Sequence, residues 1–142
     1  MTIAMVLSAK GREVATIPVS ATLREAVAEL AERNIGALVV MDGDSVRGII
    51  SERDLVACLH RHGEALLDRE VSEAMSAPAI SVTPETSVLS ALALITARRV
   101  RHLPVVVGGR LQGIVSIGDL VKYRIEHIER EAQAMREYIQ SA

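Results

Sequence analysis

The chain contains two similar nonapeptides, GIISERDLV at residues 48–56 and GIVSIGDLV at residues 113–121. A shift of 65 residues superposes these copies and, without a gap, the whole of residues 14–56 on residues 79–121, with 12 of the 43 positions identical. Unrelated sequences of ordinary composition would agree at roughly three positions. The chain therefore contains an internal repeat, and its fold is expected to consist of two similar halves.

Each copy has the pattern strand, helix, strand, strand, helix. Thr22 and Glu25 form a capping-box pattern before an apolar stripe, and Asn34 and Gly36 are typical helix terminators. The predicted elements of the first copy are the apolar strand 37–41, a turn at 42–44, the strand 46–50 and a helix from Ser51 to about His62. In the second copy they are strands at 80–82, 103–107 and 111–115, and helices at about 86–99 and from Ser116.

Two such copies predict an α+β sandwich in which the repeats are related by a pseudo-twofold axis and a ligand cleft lies on that axis. A repeat of about 60 residues is marginal as an independent fold, which favours paired halves. The predicted division places an N-terminal helix and the first repeat in residues 1–66. The second repeat and a C-terminal helix occupy residues 67–142.

Composition excludes several classes of partner. The 142 residues include no Phe, no Trp and two Tyr, and the formal net charge is −2. Aromatic stacking platforms and a basic surface are both missing, so binding to nucleic acid is not expected. A single cysteine, Cys58, favours a reducing compartment. No signal peptide and no membrane-spanning segment are recognised, and a cytoplasmic location is expected.

The repeated motif places a hydroxyl and a carboxylate at a strand-to-helix turn, with Ser51 and Asp54 in one copy and Ser116 and Asp119 in the other. Free N–H groups at such a helix start favour an anion such as phosphate. A carboxylate three residues later can accept from two vicinal hydroxyls, as in ribose. The alternative is that Ser-x-x-Asp only caps a helix. Because the motif occurs twice at equivalent positions, we favour the ligand hypothesis.

The arrangement resembles a tandem CBS (cystathionine β-synthase) domain pair, also called a Bateman module, over residues 14–128. The segments SERD (51–54), RHLPV (101–105) and SIGD (116–119) are similar to those of small stand-alone bacterial members. The resemblance implies a non-catalytic regulatory module that binds AMP, ATP, NAD(H) or S-adenosylmethionine, with Ser meeting phosphate and Asp meeting ribose. Backbone next to the first and second strands would hold the adenine. The candidate binding residues are Lys10, Thr16, Ile17, Asn34, Gly36, Ala37, Ser51, Arg53, Asp54, Ser81, Val82, Arg101, His102, Leu103, Ser116 and Asp119.

The two copies differ in the residues that would line their clefts. The first has Asn34-Ile35-Gly36-Ala37 where the second has Arg99-Val100-Arg101-His102, and only the first has an arginine, Arg53, inside the motif. Lys10 and Arg12 lie just upstream, so basic groups could converge on a polyphosphate. The alternative is that Arg98, Arg99 and Arg101 form a solvated basic patch. Two unlike sites are expected.

Neither a metal site nor a catalytic site is predicted. Cys58, His60 and His62 lie on one helix, where alternate positions point about 200° apart and cannot share one ion. His102 is expected to line a cleft and His127 to lie on the surface. No nucleophile has a base at a recognisable spacing, no phosphate-binding Gly-x-x-x-x-Gly-Lys loop occurs, and no carboxylate pair suggests acid–base chemistry.

The C-terminal helix has an apolar seam at heptad spacing, which runs through Val121, Ile125, Ile128, Ala132, Met135 and Ile139. Either the N-terminal helix around Ile3, Val6 and Leu7 covers this seam, or a second chain does. A homodimer is favoured. A second functional hypothesis is therefore a dimeric scaffold whose nucleotide clefts are vestigial, and a third, weaker one is an enzyme acting on the bound nucleotide. Any protein that the module regulates would be encoded elsewhere.

Overall fold

The computed structural model describes residues 1–141 and has an α+β architecture. The elements are, in order, α1 Ile3–Lys10, β1 Thr16–Pro18, α2 Leu23–Arg33, β2 Ala37–Asp42, β3 Ser45–Ser51, α3 Glu52–His62, 3-10 helices Glu64–Asp68 and Val71–Glu73, α4 Val88–Arg98, β4 His102–Val107, β5 Arg110–Ser116 and α5 Ile117–Ser141. The predicted fold class and the two copies of the repeat are confirmed.

The two copies differ in their first strand. In the first copy β1 pairs in parallel with β2, and β2 pairs antiparallel with β3. In the second copy β4 and β5 form the equivalent hairpin. The strand predicted at residues 80–82 is reduced there to a single parallel bridge between Val82 and Val105, the counterparts of Ile17 and Val40. The second sheet is therefore two-stranded.

Helix starts follow the capping residues of the sequence. Thr22 and Glu25 form the predicted capping box at α2. The predicted start of α4 at about Thr86 was early, because Ser87 is the residue whose side chain accepts from the Ser90 N–H at the first turn. Thr86 instead accepts from the Thr83 N–H in the preceding turn. A hydroxyl at either position can cap a helix, and the sequence alone did not separate the two.

The two repeats have separate cores that exchange segments across the predicted boundary at residue 66. Ile3, Val6 and Leu7 of α1 pack in the core of the second repeat. Leu66 and Val71 pack in the core of the first repeat. The N-terminal helix therefore belongs structurally with the second half of the chain, and the segment between the repeats closes the first half.

The C-terminal helix α5 extends away from both cores. Leu120 is fully buried and Tyr123 packs against the second core, but every side chain from Ile128 to Ser141 is exposed. Its polar residues exclude it as a transmembrane helix, and no helix within residues 1–141 combines the length and apolarity needed to cross a bilayer.

Candidate functional site

The second copy of the motif forms a tight polar turn at the start of α5. The Ser116 N–H donates to Oδ2 of Asp119 at 2.8 Å, and the Asp119 N–H donates back to Oγ of Ser116 at 3.0 Å. These two bonds are those of a capping box, so the structural explanation of the motif is correct for its local geometry. The carboxylate nevertheless has contacts that a cap does not need.

Lys10, from the end of α1, reaches this carboxylate across the molecule. Its Nζ lies 2.6 Å from Oδ2 of Asp119 and also donates to the Ile114 carbonyl at 2.8 Å. Burial raises the pKa of Asp119, but the hydrogen bonds from Lys10 and Ser116 and the lysine charge outweigh burial, so the pKa of Asp119 lies below its usual value. Within residues 1–141 no group donates to Oδ1 of Asp119. One carboxylate oxygen therefore remains available.

Lys10 and Asp119 open into a cavity of about 270 Å³, here called the Asp119 cleft. Residues from both repeats and from the N-terminal segment contribute to it. Its lining residues are Lys10, Glu13, Ala15, Ile35, Gly36, Ala37, His102, Ile114, Ser116 and Asp119. The volume lies just below the range of about 300–1,000 Å³ typical of ligand pockets.

His102 and Gly36 meet across this cleft, at the start of the central strands of the two repeats. A Cβ atom added at Gly36 would lie 3.3 Å from the His102 ring. The absence of a side chain at Gly36 therefore gives the imidazole room to pack against the backbone. Burial lowers the pKa of His102, and the attraction of Asp119 and Glu52 only partly opposes this. The ring is therefore neutral at pH 7 and can donate one hydrogen bond and accept another.

The first copy of the motif has the same cap but a different neighbour. The Ser51 N–H and Oγ both contact Oδ2 of Asp54, and Oγ of Ser76 donates to Oδ1 at 3.1 Å. Ser76 also exchanges two backbone hydrogen bonds with Ile49. The segment 75–77 lies directly on Gly48, where an added Cβ would be 2.5 Å from the Ser76 carbonyl oxygen. Both carboxylate oxygens at this Asp54 site are already engaged by the protein.

The structure brings six of the predicted residues together in the Asp119 cleft, namely Lys10, Gly36, Ala37, His102, Ser116 and Asp119. Thr16 and Ile17 line a different, more open groove of about 510 Å³ that also includes Glu25, Glu29 and Arg33. Ile17 itself is 4% exposed.

The remaining predicted residues lie outside both cavities. Val82 and Leu103 have side chains buried in the core, and the contact between the Val82 backbone and adenine that the resemblance implies stays a prediction. Asn34 is the left-handed C-cap of α2. Ser81, Arg53 and Arg101 are exposed, and the Arg101 carbonyl accepts from the Ile117 N–H. The suggested convergence of Lys10 with Arg53 is not observed, because Lys10 is committed to the other copy of the motif.

Sequence reasoning missed Glu13, Ala15 and Ile114 as lining residues and Ser76 as a partner of Asp54. One signal could have found them. The shift of 65 residues places Lys10 opposite Met75, and the segment before each repeat reaches the motif-bearing strand of the other repeat, since Lys10 contacts Ile114 and Ser76 contacts Ile49. The two segments share no residue types at these points, and the alignment that began at residue 14 did not extend to them.

No metal centre is formed in the described part of the chain, residues 1–141, because nowhere do three His, Cys, Asp or Glu side chains converge on a common point. Cys58 is buried, whereas His60 and His62 are exposed on the same helix.

Fold and cleft together define a two-repeat binding module with one open polar cleft at the junction of its halves. The sequence profile of the CBS domain matches twice, at residues 10–61 and 71–126. The chain belongs to the CBS-domain family.

Known members show how far the similarity extends. The CBS domain-containing protein CBSX3 from Arabidopsis thaliana, a mitochondrial protein, is 37% identical over 124 residues, which are 84% of this chain and 60% of that protein. The chain thus spans less than two thirds of that relative. The structure of ATU1752 from Agrobacterium tumefaciens matches with a TM-score of 0.84 at 38% identity, over 87% of this chain and 99% of that one. CBSX2 in complex with AMP matches in fold, with a TM-score of 0.73 at 23% identity over 88% and 96%.

Proposed function

We propose that this chain is a non-catalytic regulatory module that binds an adenine nucleotide in the Asp119 cleft. The free Oδ1 of Asp119 is the observation that carries the proposal. An ionised carboxylate at a cleft wall can accept from the two vicinal hydroxyls of a ribose, and the low pKa of Asp119 keeps it ionised. Family membership and the AMP complex of the fold neighbour CBSX2 support an adenine nucleotide as the ligand class.

The size of the cleft favours a mononucleotide. At about 270 Å³ the cavity is smaller than most sites for drug-sized ligands. A dinucleotide such as NAD(H) would need more than this volume, so AMP is the preferred ligand. The neutral His102 ring beside Gly36 provides a donor and an acceptor at the opposite wall for the base.

Lys10 makes the cleft suitable for an anion. Its ammonium now neutralises Asp119, and a ribose that shares this carboxylate would leave Nζ close to the attached phosphate. The positive end of the α5 helix dipole adds a second source of positive potential. We infer that the Asp54 site does not bind a nucleotide in this conformation, since Ser76 occupies the place that a ribose hydroxyl would need.

Isothermal calorimetry with AMP tests this assignment. Because a hydrogen bond to a charged group contributes about 1.5–3 kcal/mol, Asp119→Ala should weaken AMP binding roughly 10- to 150-fold. The matched variant Asp54→Ala removes the same cap from the other copy and should change the affinity by less than about threefold. Equal losses in both variants, or no loss in Asp119→Ala, would contradict the proposal. If the alanine variant does not fold, the more conservative substitution Asp119→Asn replaces it in the same calorimetric measurement.

A panel of adenine nucleotides separates this proposal from its alternatives. A ligand present at 100 times its dissociation constant stabilises the fold by about 2.7 kcal/mol. Stabilisation by AMP, and less by ATP, NAD(H) or S-adenosylmethionine, is expected in a thermal-shift assay. No stabilisation by any nucleotide would favour a scaffold with vestigial clefts, for which the closed Asp54 site is an argument. Conversion of the nucleotide during incubation would instead indicate an enzyme.

We also propose that the module works as a homodimer and acts on a regulated protein encoded elsewhere. The support for self-association is the exposed seam on α5, where Ile125, Met135 and Ile139 are each more than half exposed. The proposal of a regulated protein rests on family membership alone.

A further inference from the structure

The distal part of α5 is an unsupported helix with one apolar side. Five seam residues, Val121, Ile125, Ile128, Met135 and Ile139, are 42–65% exposed, and Ala132 is exposed as well. An isolated helix of this length is marginal in water, and its stability normally comes from packing of the apolar face. In the described chain, α1 packs beside Leu120 and does not reach the seam beyond it. The seam therefore needs a covering surface.

The charges beside the seam specify which surface fits. With Ile125, Ala132 and Ile139 at heptad position a, the flanking g positions hold Arg124, Glu131 and Tyr138, and the flanking e positions hold Lys122, Glu129 and Arg136. In a parallel pair of helices, each g residue lies beside the e residue of the following heptad on the other helix. Arg124 would then meet Glu129 of a second copy, and Glu131 would meet its Arg136. Both pairs are attractive, and symmetry doubles them.

The opposite orientation is disfavoured by the same residues. An antiparallel pair in contact along the same seam brings g beside g and e beside e. Glu131 would then face Glu131 of the second copy, Glu129 would face Glu129, and Lys122 would face Arg136. Like charges placed directly opposite each other destabilise a helix pair by about as much as opposite charges stabilise it. The pattern thus selects a parallel arrangement of identical helices.

The body of the molecule permits this arrangement. The buried and half-buried side of α5 contains Leu120, Tyr123, Arg124 and His127. At about 100° per residue, this side lies about 110° around the helix from the seam. Two copies related by a twofold axis along the pair would place their bodies on opposite sides of it. The seam stays accessible over its whole length.

We propose that α5 forms a parallel, in-register, two-stranded coiled coil with α5 of a second copy of this chain, with register and direction set by the pairs Arg124–Glu129 and Glu131–Arg136. The inference rests on the homodimer proposed above but not on nucleotide binding, because none of these residues lines the Asp119 cleft. It predicts both the contact between the two α5 helices and their parallel orientation.

Disulfide trapping tests the polarity. Met135→Cys places two cysteines face to face across a parallel pair, and mild oxidation should convert most of the protein to a covalent dimer. In the antiparallel pair the two cysteines would lie on the order of 15 Å apart, too far for a disulfide. Glu137→Cys, on the outer face of the same helix, is the control and should not cross-link. The native Cys58 is buried and is present in all samples.

Charge reversal tests the register, with sedimentation equilibrium as the readout. Glu131→Arg should raise the dimer dissociation constant roughly 4- to 30-fold, since two attractive contacts become repulsive. Adding Arg136→Glu to the same chain should restore most of the affinity. Both residues are exposed, so folding is not at risk. A monomer at micromolar concentration, a trimer, or a dimer that Met135→Cys fails to cross-link would each overturn the proposal.

Discussion

The two aspartates of the repeated motif have the same local geometry and different environments. Asp54 and Asp119 each accept from the backbone N–H of the serine three residues earlier. At Asp54 the second oxygen is taken by Ser76, whereas at Asp119 the second oxygen is free and the first carries Lys10. The chemical identity of the site therefore depends less on the motif than on the residue that the upstream segment brings to it.

The pH dependence of stability should report the Lys10–Asp119 pair. The pKa of Asp119 is lower in the folded chain, so the stability that its ionised form contributes is fully present above the unfolded pKa of about 3.9. That contribution is lost as the pH falls through the folded pKa. Urea denaturation should therefore show a difference between the parent and Asp119→Asn that is largest near neutral pH and shrinks below about pH 4.

The lysine contribution can be isolated with a second variant. In a Lys10→Met background, which keeps most of the aliphatic stem, Asp119→Asn should produce a smaller pH-dependent difference than in the parent. An identical pH profile in both backgrounds would mean that the cap alone, and not the lysine, depresses the pKa of Asp119.

At the level of elements, the sequence predicted the regular parts of each repeat well. The predicted helix from Ser51 to His62 differs from α3 only by its capping residue, and both hairpins were predicted to within one or two residues per strand. These elements have strong local signals: a capping residue, an apolar run and a glycine-containing turn. The strand at residues 80–82 was overestimated because pairing with β4 is a tertiary event that its own residues do not encode.

The candidate site could be predicted only in part, for a related reason. Ser116 and Asp119 were identifiable because they recur in the repeat, and His102 and Gly36 because of the family resemblance. The contact between Lys10 and Asp119 joins residues 109 positions apart in the sequence. No local pattern encodes such a contact. The contact between Lys10 and Asp119 follows from the packing of α1 on the second repeat. The apolar seam of α5 left open whether α1 or a second chain covers it, so the position of α1 could not be predicted.

Matched glycines in the two hairpins should respond differently to alanine. At Gly48 the added Cβ would lie 2.5 Å from the backbone oxygen of Ser76, so the segment on the Asp54 site has to move. At Gly113 it would meet the Leu7 side chain at 2.8 Å, which can rotate away. Overpacking costs about 1–3 kcal/mol, and Gly48→Ala should lie at the upper end with Gly113→Ala roughly 1 kcal/mol lower. Urea denaturation of both variants measures this, and a reversed order would contradict the geometry.

At the scale of the whole molecule, the first repeat lies in sequence between the two parts of the chain that build the second core. The second core includes Leu7 from the start of the chain, and the first core includes Val71 from beyond the first repeat. The second core therefore cannot be completed by a continuous stretch of sequence, whereas the first core is built from residues 15–75. A chain of this size in which one core is completed by a segment from beyond the other repeat is expected to unfold in a single cooperative transition.

Leu7 offers the sharpest test of that coupling. Its side chain is fully buried in the second core, although it lies more than 70 residues before the repeat it stabilises. Leu7→Ala should lower the free energy of unfolding by about 2–5 kcal/mol. The control is Met5→Ala on the same helix, where the side chain is 45% exposed and the expected change is within about 0.5 kcal/mol. Far-ultraviolet circular dichroism and the reactivity of the Cys58 thiol towards a thiol reagent in urea should report the same shifted midpoint for Leu7→Ala, because Cys58 is buried in the first core and becomes accessible when that core unfolds. If the midpoint of Cys58 reactivity stayed at its parental value while the helix signal shifted, the repeats would be independent units, and α1 would stabilise only one of them.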